Sequence, residues 1–97
     1  DQVGIGYTIG DLAIRIMEDA RVDLYRLIAT NEDAALLTSQ ILGGMPVKKT
    51  DLERLGQHLM LYAITEIQMA GQDVRYYVNR AEQKLKGDDD EQEEQNP

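Results

Sequence analysis

A chain of 97 residues, 42% of them hydrophobic, can build one domain with a core, but a domain this small leaves much of its surface in water. The net charge of −8 is concentrated at one end: residues 88–97, DDDEQEEQNP, hold six of the 18 acidic residues and no basic one, which leaves 12 acidic against 10 basic residues in the body. A near-neutral body argues against broad phosphate-backbone binding, the lack of Cys excludes disulfides and thiolate chemistry, and no apolar run approaches the ~20 residues of a membrane span.

Residues 1–7, DQVGIGY, contain two glycines and no helical period, and read as a flexible N-terminal arm. The chain opens on Asp1 rather than Met, which implies that something preceded it. Thr8-Ile-Gly-Asp11 has the form of a capping box, in which hydroxyl and carboxylate satisfy each other's backbone N–H. The stripe Ile9, Leu12, Ala13, Ile16, Met17, Ala20, Leu24, Leu27 and Ile28 then predicts a first helix. Asp11 and Arg15 add an i,i+4 pair on it.

A second box, Thr30-Asn-Glu-Asp33, starts a short helix that Gly43-Gly44 ends. Met45-Pro46-Val47-Lys48-Lys49 is a connector. A third box, Thr50-Asp-Leu-Glu53, opens an apolar periodicity that runs to Leu85 without a proline, so one long helix over 51–86 is predicted, with a break near Gly71 as the competing reading. Gly87 is its natural stop. Residues 88–97 hold no core residue and are expected to be disordered.

The expected fold is therefore all-α: a small helical bundle with two shorter helices and one long C-terminal helix, occupying 8–87, with an arm before it and an acidic tail after it. The two shorter helices can cover only the first part of a helix ~54 Å long. Ile64, Ile67, Gly71, Val74, Val78, Ala81 and Leu85 alternate at coiled-coil spacing, and the flanking Ala63, Ala70 and Tyr77 widen that face. This seam is the expected oligomer interface of a homodimeric bundle.

Chemistry has few footholds. His58 is the single histidine, and its spacing to other residues matches no metal site. Glu18, Asp19 and Asp23 read as a solvated acidic face, since no Glu-x-x-His accompanies them. GIGYTIG follows no strand and lacks the spacing of a phosphate loop. No metal or cofactor is expected.

With Phe and Trp absent, Tyr76 and Tyr77, flanked by Arg75 and Arg80, form the best candidate surface for a protein partner. The segment 31–59 has the outline of a helix-turn-helix, with Lys48, Lys49, Thr50 and Arg54 as candidate nucleic-acid contacts. Its eight-residue connection is long for that motif, and Asp51 and Glu53 sit where phosphate would approach, so nucleic acid is an unfavoured partner.

The function expected is that of a non-enzymatic helical interaction protein that binds and regulates or assembles another protein. A DNA-binding regulator using residues 31–59 is the alternative, and a metal protein or enzyme centred on His58 a second. No membrane association is expected. The absence of Cys and of a visible signal peptide fits a cytoplasmic setting.

Overall fold

The computed structural model describes residues 7–94, with side chains through residue 87. The expected arm over 1–7 falls outside the described residues except for Tyr7. Of the expected tail over 88–97, residues 95–97 and the side chains of 88–94 likewise fall outside them.

The chain is all-helical in its described residues, in the order α1 (Ile9–Ala20), α2 (Leu24–Thr30), α3 (Glu32–Leu42), α4 (Lys49–Met69) and α5 (Val74–Glu94). No helix among them is long and apolar enough to cross a membrane.

The first box forms as expected. Thr8 Oγ1 accepts from the Asp11 N–H at 3.1 Å, and Asp11 Oδ2 accepts from the Thr8 N–H at 3.0 Å. The single helix expected over 9–29 is instead two. Arg21 adopts the left-handed conformation at φ 58, the Val22 N–H returns to the Met17 carbonyl at 2.9 Å, and Asp23 caps α2 by accepting from the Tyr25 N–H at 3.0 Å. Apolar periodicity ran across this corner because the same core receives both sides of it: Met17 and Leu27 are buried and Val22 packs against them.

The second box is displaced by one residue. Asn31, not Thr30, caps α3, its Oδ1 accepting from the Ala34 N–H at 3.0 Å, while the Thr30 hydroxyl donates back to the Arg26 carbonyl at 2.8 Å. The third box also shifts: α4 begins at Lys49, with Asp51 Oδ2 accepting from the Lys48 N–H at 3.1 Å, so Thr50 lies inside the first turn and caps nothing.

The one long helix is corrected to two. Gly71 at φ 74 lets the Gln72 N–H reach the Ile67 carbonyl at 3.0 Å, and Asp73 Oδ1 then accepts from the Arg75 N–H at 3.0 Å to start α5. Gly87 does not stop α5, which continues to Glu94.

The consequence for packing is large. α5 packs on α1, as does α4, while α4 and α5 touch each other little. Ala13, Ile16 and Met17 of α1, Ile67 of α4 and Ala81 of α5 are all buried in one core with Leu27, Ala34, Leu59 and Ala63. Each fully buried large side chain, such as Ile16, contributes about 1.5–3 kcal/mol of hydrophobic stabilisation. α1 and α4 approach closely at Gly56, where a Cβ would lie 2.7 Å from Ile9 Cγ2 and 3.0 Å from the Gly10 nitrogen. α3 packs on α2 and α4, with Ala34 and Leu37 turned inward.

Candidate functional site

Two constellations stand out, one polar and one apolar. The polar one joins the start of α3 to the first half of α4. Arg54 grips Asp33 as a fork, Nε to Oδ2 at 2.7 Å and Nη2 to Oδ1 at 3.2 Å, and its Nη1 also donates to Asp51 Oδ1 at 3.3 Å. His58 Nε2 lies 2.7 Å from the same Asp33 Oδ2, and Asn31 Nδ2 lies 3.5 Å from His58 Nδ1. Both contacts are satisfied when Nε2 carries the proton and Nδ1 accepts. The guanidinium of Arg54, and after it the His58 hydrogen bond, hold the Asp33 carboxyl at about 2, well below its ordinary 3.8. Asp33 in turn raises the pKa of Arg54.

This arrangement resembles an acid–base dyad only in its residue types. General-base work needs a ring nitrogen open to a substrate proton. Here one nitrogen faces a carboxylate and the other an amide, and the network holds no hydroxyl, thiol or amine nucleophile. Its evident physical effect is to brace α3 against α4. Among the described residues, no three His, Asp or Glu side chains converge in the manner of a metal site.

The apolar constellation is a groove of about 690 Å³ between the N-terminal half of α1 and the start of α4. Ile9, Ile14, Leu52, Leu55 and Leu59 line it, and Asp11, Lys49, Glu53 and Gln57 edge it. Ile9, Ile14 and Leu52 are 40%, 46% and 48% exposed. The close crossing at Gly56 fixes the spacing of its two walls. Sequence reasoning missed this groove. Ile9 belonged to the expected core stripe, and nothing in the periodicity says that α1 and α4 cross at a glycine and then diverge.

The residues singled out from the sequence are scattered by the fold. Of the seam, Ile67 and Ala81 are buried in the chain's own core, and Val74 and Val78 pack against it. Ile64 and Leu85 are half-buried and Gly71 is exposed. The idea that little in this chain could cover the distal seam is therefore corrected: the break at Gly71 turns α5 onto α1, which covers it.

Tyr76 is exposed while Tyr77 packs on the core, and their rings meet edge to face at 5.1 Å. Arg75 and Arg80 are exposed beside them. Lys48, Lys49 and Thr50 are exposed, but Arg54 is committed to Asp33 and Asp51 and offers phosphate no free fork.

The solvated acidic face of α1 also needs correction at one residue. Asp19 is 10% exposed, takes Lys84 Nζ at 2.8 Å, and stands 3.7 Å from Arg80 Nε, so it latches α5 to α1. Its Oδ2 is shielded and accepts no hydrogen bond, despite that nearby guanidinium. Asp23 is an N-cap.

Comparisons with family models, with curated proteins and with solved structures find no match to this chain.

Proposed function

We propose that this chain is a non-enzymatic helical interaction protein, acting in the cytoplasm, that binds another protein through the α1–α4 groove and so regulates or assembles it. The observation that carries this reading is the groove's lining. Three large aliphatic side chains, Ile9, Ile14 and Leu52, stand 40–48% exposed around one concavity of about 690 Å³. Isolated exposed apolar residues need no explanation, but apolar residues gathered around a concavity gain free energy when covered. Two helix walls with a polar edge suit an amphipathic helix that inserts two or three apolar anchors. Self-association through the seam at 64–85 forms no part of this reading, because Ile67 and Ala81 are already covered within the chain.

The test is a selection of randomised helical peptides on the wild type, with counter-selection on Leu52→Glu. Enriched peptides should carry apolar residues at i, i+3 or i+4, and i+7, and should bind Leu52→Glu and Ile14→Glu at least about tenfold more weakly, a loss of ~1.4 kcal/mol or more. Both substitutions fall on exposed positions and should leave the fold intact. Peptides that bind wild type and both variants equally would place the docking surface elsewhere.

A further inference from the structure

We propose that this chain exchanges α5 between copies. Two copies then form a dimer in which α4 and α5 straighten into one helix through the corner at residues 70–73, and each α5 packs on the α1 of the other copy. The α1–α4 groove takes no part, so this inference stands or falls apart from the groove reading. Three observations carry it. First, α5 packs mainly on α1 and touches α4, its neighbour in sequence, little. Ala81 is fully buried, and Lys84 Nζ meets Asp19 Oδ1 of α1 at 2.8 Å. Second, the corner that joins α5 to α4 is made by Gly71 at φ 74, by the Gln72 N–H on the Ile67 carbonyl at 3.0 Å, and by the Arg75 N–H on Asp73 Oδ1 at 3.0 Å. Third, the sequence across it keeps the spacing of a single helix. Ile64, Ile67, Gly71, Val74, Val78 and Ala81 advance by steps of three and four with no change of phase, and no proline intervenes.

The closed chain and the exchanged dimer share their packing. A straight helix keeps these residues on one face, so Val74, Val78 and Ala81 of one copy meet the same core, now supplied by the other. What differs is the corner. In the closed chain α4 ends and α5 begins there, which leaves terminal carbonyl and N–H groups without helical partners, whereas a continuous helix pairs them. Glycine is unfavourable inside such a helix and is the residue least strained in a left-handed corner. Gly71 therefore biases the chain toward the closed form. Dilution favours it too, because each α5 then finds the α1 of its own copy at a high effective concentration.

The experiment is light scattering coupled to size exclusion, on the full chain and on Gly71→Ala, each refolded from urea over a range of protein concentrations. A Cβ at position 71 meets nothing within 4 Å in the closed chain, so the alanine acts through backbone conformation. It disfavours the left-handed corner and favours the straight helix, together by at least about tenfold for each corner. A dimer straightens two corners, so Gly71→Ala should raise the association constant about a hundredfold. Asp73→Ala removes a cap that only the closed form needs, and should also raise it. When isotope-labelled and unlabelled Gly71→Ala are refolded together, nuclear Overhauser contacts between α1 and α5 should run between copies, and the carbon shifts of residues 70–73 should turn helical. Two variants that stay as monomeric as the wild type would overturn the inference. So would a dimer whose α1–α5 contacts remain within each copy, since that is two closed chains touching.

Discussion

Arg21 is the one non-glycine residue with positive φ among those described, at φ 58 and ψ 45. Gly71 holds the equivalent place in the second corner at φ 74. The left-handed region costs a residue with a Cβ roughly 1–2 kcal/mol, and glycine avoids this while losing more freedom on folding, by about 0.5–1 kcal/mol. Arg21→Gly should therefore stabilise the chain by about 0.5–1 kcal/mol in urea unfolding. Gly71→Ala should cost a similar amount, and since nothing lies within 4 Å of a Cβ placed there, the loss would be conformational and not steric. A neutral Arg21→Gly would mean that the arginine side chain contributes an interaction as large as the strain.

The elements show where the sequence was legible and where it was not. That the described residues are all-helical followed from the periodicity, and the Thr8–Asp11 box is where it was read. The corner at Arg21 was missed, and the one at Gly71 was read only as the competing alternative, for a shared reason. Ala20-Arg-Val-Asp23 and Ala70-Gly-Gln-Asp73 are the same device used twice: a left-handed residue, a backbone return to the buried Met17 or Ile67, and an aspartate that caps the next helix. Both sides of each corner send apolar residues into one core, so periodicity passes through unbroken. The recurring Ala-x-x-Asp before an apolar residue was the available signal. The brace between α3 and α4 was out of reach, because Asp33 and His58 are 25 positions apart and meet only after the connector turns. The brace predicts a pH response. With Asp33 at about 2 in the folded chain and near its ordinary 3.8 when unfolded, the unfolded state binds the extra proton between those values. Stability from this group is thus complete above about pH 4 and is lost as pH falls through about 2. Urea unfolding across this range should show a wild-type decline that Asp33→Asn flattens. Parallel declines in the two proteins would remove the brace as a contributor.

At the scale of the molecule, the decisive difference is between a seam that joins two chains and a seam that closes one. The sequence alone favours the first, because a continuous helix over 51–86 outruns its two shorter neighbours. The corner at Gly71 makes the second possible by bringing α5 to α1, where Lys84 and Asp19 meet at 2.8 Å and Ala81 is fully buried. Ala81→Asp separates the two arrangements. In the closed chain it places a charge without a partner in the core, at a cost of about 3–5 kcal/mol, a large share of the ~5–15 kcal/mol that holds a domain together. The expected result is a collapse of the thermal transition in circular dichroism, with α5 released from α1. If the seam joined two chains, the same substitution would instead lower the mass in solution and leave each chain's helices and melting largely in place. An exposed control, Asn79→Asp on the outer face of α5, should leave melting within about 0.5 kcal/mol of wild type. Only the loss of fold by the first variant and its retention by the second agrees with α1 as the element that covers the distal seam.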